Sequence, residues 1–454
     1  MLLRILLTKY WVLAHLLVTA GTLCFAPEPR AFQGLWCACS LLAMAMALPP
    51  VRRGETFWLA RQRVDGSLRA DIVLWSGLLA LIWVGVALLN GPRALAYSAE
   101  LKRWVYAAAP MAFLPSSVAL GAGTGFWTGL LGGLSGAVVL RCVLPRSQRL
   151  VALLGLGALT GVLALGGVVA AAAAGAAPAW AWLGGAFDAG VLWFLLLCVC
   201  LGVVLESFLE GHWKTLVWAL ALALANGIGV VAFAPVQVLA MGSVAAAVYL
   251  CVVVVAVRGS GRYPRIMWYG VLALPVLFGA GLGLALGPAR SLWMPEAWAA
   301  QFEAFFTQWS FRADLALQVW RSEPMLGVGP EGMGHFARFF VKGSRAWTLW
   351  RAAGSGVPCD FLRLLAERGM MGALLLLLPG AAMFGKCLMQ WVEFRQSGRR
   401  HYSLRYIFVF AGAAVGVLGV LLASLVGTPL HTPAVLCVFV MVCATLSGWM
   451  PRLR

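Results

Sequence analysis

The chain has 454 residues, of which 62% are hydrophobic and only 11% charged, whereas a soluble domain carries roughly 25% charged residues. With a mean hydropathy of +0.90, this composition excludes an ordinary soluble protein and places the chain in a lipid bilayer. The net charge of +18 would point to nucleic acid in a soluble protein. Here its distribution along the chain is a topology signal, and no nucleic acid partner is expected.

Apolar runs of the length that spans a bilayer, about 17 to 25 residues, occur near 5–25, 31–49, 72–90, 122–140, 150–173, 189–206, 215–234, 236–256, 266–287, 369–392, 406–427 and 432–449. The expected fold class is therefore all-α, a polytopic bundle of about twelve transmembrane helices. Arg4 and Lys9 lie at the first span, and Arg52, Arg53, Arg61, Arg63 and Arg69 follow the second. Arg141, Arg146 and Arg149 follow the fourth, Arg258, Arg262 and Arg265 the eighth, Arg395, Arg399, Arg400 and Arg405 the tenth, and Arg452 and Arg454 end the chain. Basic residues accumulate on the cytoplasmic side, so both termini are expected there, in the inner membrane of a bacterium. The opposite connections, such as "APEPR" (26–30) and "TPLHTP" (428–433), are nearly free of them. "CFAPEPR" fits an outer turn better than a signal-peptide cleavage site.

From Trp104 to Leu140 the chain is uncharged and too long for one helix, while the charge pattern needs an odd number of crossings. Residues 104–120 are read as an interfacial or re-entrant piece leading into one crossing. Most cysteines, including Cys37, Cys39, Cys198, Cys200, Cys251, Cys437 and Cys443, fall inside spans, where the thiol acts as a small apolar group. None has partners at metal-site spacing, so no metal, cofactor or essential disulfide is expected. His15, mid-span in the first helix, is read as a helix-packing hydrogen bond.

Three regions follow: transmembrane helices over 1–287, a long outer loop over 288–368, and the last three spans over 369–454. The loop begins with "PEAWAAQFEAFFTQWSFRADLALQVWRSE", whose apolar spacing predicts one or two amphipathic surface helices. Next comes "PMLGVGPEGMGHF", in which Gly327, Gly329 and Gly332 match G-x-G-x-x-G. That fingerprint means dinucleotide binding only between a strand and a helix of a βαβ unit, and no such unit is visible. The glycines are read instead as a tight backbone turn beside the bilayer or a ligand. "CDFLRLLAERG" then runs directly into the tenth span.

The order "SFRADLALQVWRSEPMLGVGPEGMGHF", a gap, then "DFLRLLAERGMMGALLLLLPG" resembles the signature region of the O-antigen ligase and O-antigen polymerase superfamily. Arg312, Trp320, Pro324, Gly327, Gly329 and Phe336 match its Arg, Trp and Pro-x-x-Gly-x-Gly positions, and Leu362, Leu365, Glu367 and Gly369 match its Leu-rich Glu-x-Gly segment. The motifs cover roughly the last third of the chain.

The resemblance implies a GT-C-like membrane glycosyltransferase. It would transfer or polymerise a glycan carried on undecaprenyl diphosphate, at the outer face and without a metal, onto a glycan or lipid acceptor. Such a donor calls for guanidinium groups that grip phosphate oxygens, and Arg312 is the first candidate. Arg338, Lys342, Arg345 and Arg351, interleaved with Trp347 and Trp350, are further candidates, as are Gly327 and Gly329 of the turn. A long loop also translocates regardless of charge, so these basic residues have an ordinary reading too. Arg363 and Arg368 are read as snorkelling at the mouth of the tenth helix.

The sequence departs from the family at two places. Pro358 and Cys359 stand where a His-Asn pair is expected, and "MGSVAA" (241–246) carries Val244 where an arginine is expected. Asp360, His335 and Glu367 are the candidate catalytic residues in compensation; His431 faces the same side. Each has an ordinary role as well: Asp360 as a helix N-cap, His335 as an interfacial side chain, His431 as a turn residue between prolines. Two function classes stay open, a glycosyltransferase divergent in its base and a non-catalytic binder or transporter of lipid-linked glycan. A proton pump is disfavoured because acids in the spans are few, with Asp188 and Glu206 both near helix ends.

Overall fold

The computed structural model describes residues 56–69, 71–90, 95–98, 103–106, 111, 113–117, 120–144, 146–174, 185–233, 238, 295–330, 332–353, 357–396 and 406–449. The expected spans at 5–25, 31–49 and 266–287, that at 236–256 apart from Val238, and the "MGSVAA" segment lie outside these residues.

The described chain is mostly helical, with one short antiparallel strand pair. Helix α1 (Phe57–Arg69) precedes α2 (Ile72–Leu89), strands β1 (Leu95–Ser98) and β2 (Arg103–Tyr106), and α3 (Leu120–Val138), which ends in a π-helical turn, Val139–Val143. Then come α4 (Arg146–Ala174), α5 (Ala186–Glu210) and α6 (Trp213–Phe233). After them follow α7 (Pro295–Ser322), α8 (Met333–Ala337), α9 (Ser344–Ala353) and α10 (Asp360–Gln396). Helices α11 (Ile407–Ala423) and α12 (Pro433–Trp449) close the described chain, joined through a 3-10 turn at Pro429–His431.

Among the described residues five helical stretches are long and apolar enough to cross a membrane: Ile72–Leu89, Gly123–Cys142, Arg149–Ala173, Ala186–Glu210 and Trp213–Ala232. Phe408–Ala423 and Pro433–Leu446 are shorter apolar helices. Large apolar side chains face outward on α2, α4 and α6, among them Ile82, Val162 and Val217. A helix that is apolar on its outer face as well suits lipid rather than water, compatible with a multi-pass membrane protein.

Helix α5 is the centre of the larger core, with every residue from Val191 to Cys200 buried. It lies against α11 where Gly202 and Gly412 meet; a Cβ at Gly202 would sit 2.6 Å from the Phe408 carbonyl. Small residues permit such close backbone approach between membrane helices. Glu206 closes this seam, its carboxylate accepting from the main-chain N–H groups of Tyr406 (2.6 Å) and Phe408 (3.1 Å) at the start of α11. Negative charge at a helix N-terminus is favourable, so this acid is a cap. Asp71 likewise caps α2 through Val73 N and pairs with Arg141 at 2.6 Å.

Residues 104–120, expected to lead into one crossing, enter the single helix α3. Arg103–Tyr106 pairs antiparallel with Leu95–Ser98, and 113–117 is an irregular strap. Asn90, just beyond α2, holds that strap: its amide donates to the carbonyls of Met111, Leu114 and Pro115 (3.0 to 3.1 Å) and its oxygen accepts from Met111 N. A side chain able to donate and accept at once can organise an extended strap that has no ladder of its own.

The amphipathic stretch at 295–322 forms one helix, α7. Its buried side, Leu315, Ala316 and Val319, joins Val328, Met333, Ala337, Val341, Val357 and Ala366 in a second core built from α7, α8, α9 and the start of α10.

Candidate functional site

Helix α10 breaks at Gly369, which has φ 63° and ψ −174°. A break of this kind leaves carbonyls before it and N–H groups after it without helical partners. The glycine turn supplies them. Val328 N donates to Ala366 O (3.0 Å) and Gly329 N to Glu367 O (2.8 Å), while Met370 N donates to Pro324 O (2.9 Å) and Met371 N to Met325 O (3.2 Å).

Gly327 (φ 70°) and Gly329 (φ 89°) occupy the left-handed region, which side chains with a Cβ avoid. A Cβ on Gly327 would press on Gly369 N and on the Glu367 carbonyl carbon, and one on Gly329 would run into the Ser116 carbonyl and to within 2.6 Å of Ser117 Cα. The Trp320 indole donates to Pro324 O (3.2 Å) and the Ser117 hydroxyl to Pro330 O (2.9 Å). The amides of Val328 and Gly329, which a phosphate cradle would need, are thus already bonded to carbonyls. The G-x-G-x-x-G spacing serves a crossing of two backbones.

The break sets the register of a charged face on α10. Asp360, Arg363 and Glu367 fall at positions that share one side of a helix. Asp360 N donates to the carbonyls of Ser424 (2.9 Å) and Gly427 (3.0 Å), at the end of α11. Its carboxylate accepts from Leu430 N at 3.0 Å through Oδ2 and meets His431 Nδ1 at 3.2 Å through Oδ1. On the other side of the imidazole, His431 Nε2 lies 3.4 Å from Glu367 Oε2, and Glu367 Oε1 accepts from Arg363 Nε at 3.2 Å.

The Phe126 ring of α3 lies against His431, centroids 5.1 Å apart and tilted by 32°, and the Arg368 guanidinium stands 4.7 Å over the same ring, within cation–π range. Next in sequence, the Thr432 hydroxyl donates to Asp188 at the start of α5. Glu367 is 1% exposed and Arg368 2%.

This arrangement fixes charge states. Burial alone raises the Glu367 carboxyl, but Arg363, the hydrogen bond and charge of His431, and Arg368 outweigh it and hold it at about 2. Burial and the Arg363 charge push His431 toward the neutral ring; the hydrogen bonds to Asp360 and Glu367 and the Glu367 charge prevail and raise its pKa. The core of the site is therefore a histidine clamped between two carboxylates that favour its protonated form.

Of the expected catalytic residues, Asp360 and Glu367 come together, whereas His335 is exposed on the short helix α8. Asp360 is the first residue of α10, as an N-terminal reading requires, but its carboxylate serves the 429–431 turn. Cys359, where an asparagine was expected, is buried, and that burial pushes its thiol up. Arg312 lies on the same side of α7 as Ala316 and Val319, half-buried. Its buried Nε has no hydrogen-bond partner, desolvation lowers its pKa, and it makes no ion pair among the described residues.

Arg338 is exposed, 5.4 Å from the Phe339 ring, and Lys342 and Arg351 are exposed as well, with Arg345 in the first turn of α9. Sequence reasoning does not find the clamp role of His431, the inward placement of Arg368, or the parts of Phe126, Thr432 and Asp188. The one available signal is the Asp-x-x-Arg-x-x-x-Glu spacing of 360–367, which puts three charges on one helix face and demands a buried counterpart. No family model matches this chain, and no curated protein matches it.

Proposed function

We propose that the chain transfers or polymerises a glycan carried on undecaprenyl diphosphate at the outer face of a bacterial inner membrane, as an O-antigen ligase-like or polymerase-like glycosyltransferase. On this reading it has about twelve spans in a GT-C-like arrangement, by the length rule for apolar helices, with both termini cytoplasmic. The observation that carries the reading is the union of two sequence segments on which the resemblance rests. The Pro-x-x-Gly-x-Gly turn and the Glu-x-Gly segment are joined by four main-chain hydrogen bonds, so the separated motifs form one unit.

In this mechanism an acceptor hydroxyl attacks the anomeric carbon of the donor sugar. The bond from that carbon to the phosphate oxygen breaks, and the lipid diphosphate leaves with the electron pair. Arg312 supplies positive charge to the leaving diphosphate: a half-buried guanidinium without a carboxylate partner among the described residues retains its donors for a ligand. Asp360 receives the hydroxyl proton. Glu367, held at about 2, is too weak a base and acts through charge on His431.

A second reading has one specific observation in its favour. Both ring nitrogens of His431 face carboxylates, and Pro358 and Cys359 offer no base. A protein that binds lipid-linked glycan without turning it over fits this equally.

Deletion of the gene in its host, followed by gel analysis of surface glycan, separates the readings. Loss of long or lipid-attached chains, restored by the wild type and not by Arg312→Ala or Asp360→Asn at equal membrane abundance, supports the transferase. Restoration by Asp360→Asn with failure of Arg312→Ala supports the binder. Full restoration by Arg312→Ala removes the diphosphate site.

A further inference from the structure

Helix α9 presents two different stripes. Ala346 and Trp350, one turn apart, pack on the second core together with Leu362 of α10. About 100° round the helix, Trp347 is 41% exposed and Arg351, one turn further on, is exposed too. Lys342, exposed just before the helix, and the exposed guanidinium of Arg338 beside Phe339 extend the same character. Lys342 and Arg351 make no ion pair among the described residues. An exposed indole and exposed cations in one short stretch have conflicting needs in water: the ring gains from leaving it, and the cations gain from anions. The headgroup layer of a bilayer meets both.

Position supports that partner. Leu362, which packs on the same core as Trp350, precedes Met370 by only eight positions. From Met370 onward α10 exposes Met371, Leu374, Leu377 and Leu378, a lipid-facing series. Helix α9 thus packs on the same core as the start of α10, the element that leads into these apolar residues.

We propose that α9, with Lys342, is an interfacial anchor that seats the 295–368 region on anionic phospholipid headgroups through Trp347 and Arg351. It fixes the height of the second core above the bilayer, and it does so whether or not the chain transfers glycan.

The test uses the full chain in lipid nanodiscs made of phosphatidylcholine alone or of phosphatidylcholine with phosphatidylglycerol. Trypsin cleavage after Lys342 and Arg351 is followed by mass spectrometry. Phosphatidylglycerol is expected to slow cleavage at both bonds roughly tenfold, the scale set by a few basic residues at an anionic surface, and high salt to reverse it. Trp347→Ala, at an exposed position, is expected to keep the wild-type thermal midpoint and lose most of the protection. Equal cleavage in the two lipids overturns the anchor, as does protection unaltered in Trp347→Ala. Protection by soluble inorganic diphosphate in phosphatidylcholine discs, with none from phosphatidylglycerol, overturns it in favour of a diphosphate ligand.

Discussion

Gly329 donates its main-chain N–H to the Glu367 carbonyl at 2.8 Å, and through that bond the glycine turn fixes where the Glu367 side chain meets His431. The turn and the charged cluster are thus one mechanical unit. Backbone geometry at 327–329 therefore controls electrostatics at 360–368.

Gly329→Ala is expected to destabilise the protein strongly. The left-handed conformation alone costs about 1–2 kcal/mol for a residue with a Cβ, and the added carbon would collide with the Ser116 carbonyl, backbone that has no rotamer to yield. Gly343→Ala is the matched comparison. Gly343 has φ 86° with nothing within 4 Å of its would-be Cβ, so only the conformational cost applies. Thermal unfolding in detergent should show a small drop for Gly343→Ala and a much larger one, or no folded protein, for Gly329→Ala.

Breaking the clamp from one side should cost more than an exposed ion pair does. Glu367→Ala leaves Arg363, Arg368 and a protonated His431 around an emptied buried position, and removing one partner of a buried charge pair costs about 3–5 kcal/mol. Glu367→Gln keeps the shape and one acceptor, and should fall between wild type and Glu367→Ala. Denaturant unfolding of the three proteins in one detergent checks that order.

What the sequence discloses here depends on the range of each interaction. Spans such as Ile72–Leu89 and Ala186–Glu210 are legible because a helix in lipid must be apolar over a fixed length. The motif order from Arg312 to Gly369 is likewise local. The strap at 113–117 is not, because it is ordered by Asn90, more than twenty residues upstream. The His431 clamp is harder still. Its partners lie on α10 and its ring neighbour on α3, and a lone histidine between Pro429 and Pro433 looks like any turn residue. Arg368 reads as a snorkelling side chain by its place at a helix mouth, and only Phe126, from a distant helix, shows that it turns inward.

Stability should have an optimum in mildly acidic solution. Glu367 has its folded pKa lowered from 4.5 to about 2, so its contribution is complete above about 4.5 and fades as the pH falls toward 2. His431 has its folded pKa raised above 6.5, so its contribution is complete below 6.5 and is lost as the pH climbs through the raised value. The thermal midpoint should therefore be highest between these limits and fall on both sides. His431→Gln should abolish the alkaline decline while leaving an acid one. An alkaline limb unchanged in His431→Gln would show that another group sets it.

Arg312→Met separates a ligand-binding arginine from a structural one. Among the described residues the guanidinium has no hydrogen bond at its buried Nε and no ion pair to repay its desolvation, so an apolar side chain of similar length should leave the thermal midpoint unchanged or raise it. Binding should move the other way. A lipid diphosphate that needs this cation loses a charge-assisted contact worth about 1.5–3 kcal/mol, roughly a tenfold to hundredfold weakening. Titration of undecaprenyl diphosphate into both proteins in the same nanodiscs measures it. Equal affinity with unchanged stability would leave Arg312 a surface cation, and a fall in stability would make it part of the fold.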